Sequence, residues 1–365
     1  MQLDFFPSRT LTLYLARLFV LRIMAMLALL VLVLMMLDLL GTSGKIMAVE
    51  GNGQAELWRY VSLRVPQLIA RFLPYSVLLA TVITLLALNQ NSEIVAMKAA
   101  GMSAHQVLAP LFLAAAAVSL ASFAFNERVV TRATATLKAW EGAQFGPVPQ
   151  EVGARSNVYF ADGNDVLSAA TMTGSGETMA LQDVTFYRRT AAGTLTEQFR
   201  APRATYAAPG WELVGAERFD VAAARTDRVE RIVVGEGLTI EQIELDSVDP
   251  DAQGFFALRE SIEAYERVGR RTSELEAKWW HKLAGPLSAM LMPLLGAVAA
   301  FGLARSGQLF VRALIAMALG FAYFVVDNAA LAMGSFGGYP PLLAAWAPFF
   351  LFLLIGETVL VRTEE

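Results

Sequence analysis
Uncharged apolar runs of about 20 residues recur along the chain, and they constrain its fold more than any other feature. A bilayer core about 30 Å thick is crossed by roughly 20 residues of helix, so such runs are the signal to count. They extend over 72–92, 106–126 and 283–304. A longer uncharged run, 328–356, contains Gly334-Ser335-Phe336-Gly337-Gly338-Tyr339-Pro340-Pro341, a cluster of turn formers that must split it into spans near 309–333 and 341–361. A sixth span comes from 23–37. That stretch follows basic residues as a signal peptide does, but Asp38-Leu39-Leu40 replaces a small-residue cleavage pattern, which points to a retained anchor. The count is then three spans on each side of a central polar segment, with both termini on one face.

Composition agrees and excludes several classes. Hydrophobic residues make up 56% and charged residues 17%, too apolar for a soluble chain of 365 residues. A net charge of -4 offers a polyanion nothing to bind, which excludes nucleic acid. With no cysteine there is no disulfide and no thiolate metal site, and two histidines, His105 and His281, leave little for any metal. There is no phosphate-cradling glycine loop and no Ser-His-Asp order, so neither catalytic chemistry nor a cofactor is expected.

The central segment, 129–251, differs in texture. Val158-Tyr159-Phe160, Asp183-Val184-Thr185-Phe186-Tyr187, Arg203-Ala204-Thr205-Tyr206, Trp211-Glu212-Leu213-Val214 and Arg231-Ile232-Val233-Val234 are β-branched or aromatic stretches bounded by turn residues. They predict an all-β sandwich of the jelly-roll kind. After Asp249-Pro250-Asp251, Leu258, Ile262 and Tyr265 recur at helical spacing with charges between them, predicting a connecting helix. The fold class is therefore an α+β membrane protein. Its parts are 1–128, with three spans; 129–251, the β-domain; and 252–365, the connecting helix and three further spans.

Between spans two and three, residues 89–102 read as a short helix with its own ends. Asn and Ser open it, Glu93 lies in its first turn and Gly101 closes it; Ser103-Ala104-His105-Gln106 then has the spacing of a capping box. Ile94 and Met97 share a face, which suits either a partner's groove or lipid head groups.

This stretch resembles the coupling helix of the LptF/LptG family of lipopolysaccharide export permeases. Lys278-Trp279-Trp280-His281-Lys282-Leu283-Ala284-Gly285-Pro286-Leu287-Ser288 resembles that family's entry to span four. Gly320-Phe321-Ala322-Tyr323-Phe324-Val325-Val326-Asp327-Asn328, followed by Gly338-Tyr339-Pro340-Pro341, resembles its fifth span and turn. The likeness covers essentially the whole chain and is closer to the LptG branch, with the LptF role as the alternative. It implies a bacterial inner-membrane subunit with cytoplasmic termini and a periplasmic β-jellyroll domain. The implied partners are a homologous LptF-type permease chain, a cytoplasmic LptB-type ATPase dimer, an LptC/LptA-type periplasmic jellyroll and lipopolysaccharide. The implied ATPase-coupling residues are Ser92, Glu93, Ile94, Met97 and Gly101. An ATPase-driven scaffold that carries no lipid is the rival from another class.

Charge alone does not orient the chain. Arg9, Lys98, Arg305 and Arg362 mark one face as cytoplasmic, yet Lys45, Arg59, Arg64 and Arg71 crowd the loop on the other. Given the resemblance, that outer cluster, with Lys138, suits the phosphates of an anionic lipid head; the plainer alternative is snorkelling to ordinary head groups. Asp38 and Asp327 are costly in a bilayer and must face protein or a wet cavity. The resemblance implies that Asp38 belongs to a substrate gate between spans one and five, with small residues such as Ala316 and Gly320 on its seam. Where enterobacterial members carry several lysines near this position, Met35, Gly41 and Thr42 stand here with only Lys45 nearby.

Overall fold
The computed structural model describes residues 7–146, 155–174, 176–240, 243, 248–267, 270–301 and 309–364. The chain runs through α1 (Arg9–Met47), α2 (Gln54–Gln90), α3 (Glu93–Ala99), α4 (Ala104–Phe125) and α5 (Thr131–Gly142). Strands β1 (Arg155–Asp162), β2 (Asp165–Thr173), β3 (Ala180–Arg189), β4 (Leu195–Ala207), β5 (Gly210–Asp220) and β6 (Arg225–Val234) follow. The C-terminal helices are α6 (Phe255–Arg267), α7 (Ser273–Phe301), α8 (Leu309–Ser335) and α9 (Pro341–Glu364). Two compact units result: Met1–Gly41 with Val61–Thr134 and Pro250–Glu365, and Thr42–Tyr60 with Ala135–Asp249.

In the first unit, five helical stretches among the described residues are long and apolar enough to cross a membrane: Arg9–Met47, Gln54–Gln90, Ala104–Gly142, Ala313–Ser335 and Pro341–Arg362, of which the first three extend into the second unit. The expected fourth span, 283–304, continues past Phe301 into residues outside the described ones, where Arg305 also lies. On α1, Leu15, Phe19, Ile23 and Leu27 repeat every four residues and are buried, while Leu21, Met24, Leu29, Leu32, Met36 and Leu40 stay exposed. A helix apolar on both faces has its second face solvated by lipid.

Glycines set the closest helix crossings. A Cβ on Gly296 of α7 would strike the side chain of Thr81 on α2, and one on Gly320 of α8 would strike Leu78 of α2. In lipid, where apolar contact alone drives no association, such close approach supplies the packing energy. After α4 the helix widens into a π-turn, Asn126–Val130. Its Glu127 carboxylate accepts the Phe255 N–H at 2.6 Å and so caps the start of α6.

In the second unit the six strands form one antiparallel sheet in sequential order. The expected strands all appear, within β1, β3, β4, β5 and β6. The arrangement differs from a two-sheet sandwich, for a local reason. The ladders skip a transverse line of residues, Ala170, Asp183, Pro202, Gly215 and Glu230. Pro202 has no N–H to donate, and Asp183 (φ 47°) and Gly215 (φ 69°) occupy the left-handed region. Each skipped residue breaks the two-residue alternation of the pleat. Buried positions therefore change parity across the line: Leu167 and Ala169 then Met172, Leu181 then Val184 and Phe186, Phe199 and Ala201 then Ala204, Leu213 then Ala216. All belong to one buried cluster with Trp211, whose indole N–H donates to Leu238 O at 3.0 Å. Among the described residues the creased sheet thus encloses its core without a second sheet.

Near the far end of this sheet Glu197 accepts hydrogen bonds from Arg188 (2.6 Å) and Arg218. Burial pushes its carboxyl up, but the two guanidiniums outweigh that and hold it below the usual carboxylate range. A carboxyl with a depressed folded value contributes stability above its unfolded value, near 4.3, and loses it as pH falls through the lower folded value. Glu197→Gln in the full chain is therefore expected to speed hydrogen exchange of β3–β5 at neutral pH. The difference from the wild type should shrink below about pH 4.

Candidate functional site
The short helix α3 is built by its ends. At its C-terminus Gly101 (φ 86°) donates its N–H to Lys98 O (2.9 Å), and Met102 donates to Met97 O (3.2 Å). This paired closure needs a left-handed residue, hence glycine. The next helix begins with the full capping box: Ser103 Oγ accepts the Gln106 N–H, and Gln106 Oε1 accepts the Ser103 N–H. Ser92 caps nothing. Its φ of 60° reverses the chain within two residues of the end of α2, and its side chain makes no cap bond.

The outward face of α3 differs from expectation. Ile94 and Met97 are 3% and 8% exposed and belong to the buried cluster of their own chain. A helix of seven residues is too short to hold itself, and these two side chains seat it. What α3 presents outward is Val95, Ala96, Lys98 and Ala99. Tyr14 of α1 donates to Glu93 Oε2 at 3.4 Å, and His105 of α4 lies 3.2 Å from Glu357 of α9.

Two acidic residues of the membrane helices, Asp38 and Asp327, have side-chain partners. Arg64 of α2 grips Asp38 of α1 through two bonds, Nε to Oδ2 at 3.2 Å and Nη2 to Oδ1 at 3.0 Å, while its third nitrogen donates to Gln67. Asp327 of α8 is 7% exposed and faces protein, with His281 Nε2 of α7 at 3.0 Å from its Oδ2. Sequence reading missed this partner, because His281 stands beside Lys282 and 46 residues before Asp327.

The remaining basic residues are divided. Arg71, in the first unit, and Lys45, in the second, are exposed. In the second unit Arg59 stacks over Trp140, 5.0 Å from the ring centroid, and Lys138 pairs with Asp249 at 2.6 Å. Ala316 and Gly320 do not line an outer seam. Ala316 is fully buried beside Val82 of α2, and Gly320 abuts Leu78. Small residues here serve close packing within the chain, and the outward face of α8 carries Ile315, Met317, Phe321 and Val325 instead.

Among the described residues no group of three metal-ligating side chains converges. The arrangement offers a short exposed helix seated by two residues, membrane helices with lipid-facing sides, and a creased sheet. A profile of the family described as "Lipopolysaccharide export system permease LptF/LptG" matches residues 13–362. The chain belongs to the LptF/LptG permease family. Curated relatives carry the name "Lipopolysaccharide export system permease protein LptG". That of Escherichia coli (strain K12) is 25% identical over 315 residues, covering 83% of this chain and 84% of the relative. That of Haemophilus influenzae is 23% identical over 346 residues, covering 90% and 94%. Family membership makes this chain a permease of the lipopolysaccharide export system, in keeping with its long apolar helices.

Proposed function
We propose that this chain is the LptG-type permease subunit of an ATP-driven exporter that extracts lipopolysaccharide from the bacterial inner membrane. The reading rests on the match to LptG proteins over more than four-fifths of the chain. It pairs with an LptF-type chain and an LptB-type ATPase dimer, and it contributes no catalysis of its own. On this reading the chain has six spans, with 283–304 as the fourth, its termini in the cytoplasm and its β-unit in the periplasm. There the creased sheet serves as a jellyroll-type domain and passes lipid to an LptC/LptA-type partner by edge pairing.

On this reading α3 is the coupling helix. Ile94 and Met97 seat it, and Val95, Ala96 and Lys98 with Glu93 enter the ATPase groove. The gate lies between α1 of this chain and span five of the partner, and between α8 and the partner's first span. Arg64 and Arg71 of the first unit contribute to an anionic-lipid region beside Asp38, and Lys45, Arg59 and Lys138 of the second unit contact anionic head groups on their own, each with a small effect, because exposed charge contacts are worth about 0 to 1 kcal/mol.

Co-purification from native membrane, with bound subunits and lipid identified by mass spectrometry, tests the assignment. The expected result is a second permease chain, an ATPase and lipopolysaccharide. Capture of the ATPase with no lipopolysaccharide and no second permease chain would favour the scaffold. Val95→Asp, which puts a charge on the docking face without touching the seat, is expected to cut ATPase recovery about tenfold while leaving insertion intact. A loss of this size corresponds to about 1.4 kcal/mol. Unchanged recovery would remove α3 from the interface.

A further inference from the structure
We propose that Tyr14 is a positioning residue for the coupling helix, its phenol tying Glu93 to α1 so that movement of α3 is carried into the first span. The inference rests on α3 being the element the ATPase pushes. Tyr14 and Glu93 are 79 residues apart, so no local geometry forces their contact; the Tyr14 hydroxyl reaches Glu93 Oε2 at 3.4 Å because the helices are seated together. Leu15 and Phe19, which follow Tyr14 along α1, are fully buried in the cluster that also holds Ile94 and Met97. The first turns of α1 and both anchors of α3 thus belong to one connected apolar cluster, and the tyrosine–carboxylate bond is the polar contact between the two helices.

Two further contacts make α1 able to use that bond. Arg22 of α1 donates to Ile83 O of α2 at 3.3 Å, and near the other end Asp38 is held by Arg64. Between Tyr14 and Asp38 the helix is continuous, 24 residues from one polar contact to the other, a rod of about 36 Å. A helix passes axial displacement along its length, so a shift of Glu93 at one end is felt at the Asp38–Arg64 pair at the other. Glu93 keeps its second oxygen, Oε1, for the partner protein.

The test uses the full complex of both permease chains and the ATPase, reconstituted in vesicles containing lipopolysaccharide. Tyr14→Phe removes the hydroxyl alone. It is expected to lower lipopolysaccharide released per ATP hydrolysed about threefold, the scale of one net hydrogen bond. Glu93→Ala should lower the same ratio by at least as much, and adding Tyr14→Phe to it should cause no further loss, since the bond the hydroxyl makes is already gone. A normal ratio for Tyr14→Phe, or losses that multiply in the double variant, would overturn the proposal. The underlying reading fails separately, through unchanged ATPase recovery with Val95→Asp, a position remote from the Tyr14 hydroxyl in chemistry.

Discussion
His281→Ala is expected to cost the protein about 1 to 3 kcal/mol of stability, the scale for leaving a buried polar group without its partner. Asp327 has only 10% of its side chain exposed, and among the described residues its polar contact is with His281. Its neighbourhood is aromatic: Tyr323 packs against Phe324 and Phe352, and Phe324 stacks on Tyr75 with centroids 3.6 Å apart. Without the imidazole, a carboxylate would remain among these rings inside a membrane span. A paired replacement, His281→Leu with Asp327→Leu, removes both polar groups and should recover most of the loss. Thermal unfolding of the purified full chain in detergent reads both. Equal destabilisation by the single and paired replacements would show that the imidazole contributes by packing and not as the carboxylate's partner.

The second large effect concerns the proposed gate. A cysteine on the outward face of α8, at Phe321 or Val325, is expected to crosslink to a cysteine on the first span of the partner permease, and the locked complex should lose nearly all lipid extraction while still hydrolysing ATP. The chain has no cysteine of its own to compete. Cysteines at Ala316 and Gly320 serve as the contrast, because these positions pack against α2 within the chain and should give no crosslink to the partner. Crosslinking from the inward positions, or none from the outward ones, would refute this geometry. Normal export by the locked complex would place the gate elsewhere.

The contrast between those positions shows what was legible beforehand. Run length and the absence of charge mark the spans, because the bilayer imposes a length, and Gly101 and Ser103-Ala104-His105-Gln106 mark helix ends through local hydrogen bonding. Strand β2 escaped notice because its middle, Ser168-Ala169-Ala170, lacks the bulky β-branched residues that signal a strand. Periodicity puts Ile94 beside Met97 and Ala316 beside Gly320, but it does not say whether the chain itself or a partner covers them. Here the chain covers both. The crease in the sheet was equally hidden: Pro202 and Gly215 read as turn punctuation until the pairing register places them on one line across the strands. The pairs Asp38–Arg64 and His281–Asp327 join residues 26 and 46 positions apart on different helices, and no local pattern reports such contacts.

The central claim is that this chain is a subunit of a machine that moves lipopolysaccharide out of a bilayer. Its most direct test is lipid transfer from vesicles holding this chain, its LptF-type partner, the ATPase dimer and lipopolysaccharide to a soluble periplasmic jellyroll acceptor. The account predicts transfer that requires ATP and this chain, with ordinary phospholipid left in the vesicle. ATP hydrolysis with no lipopolysaccharide reaching the acceptor, or equal transfer of phospholipid, would contradict it.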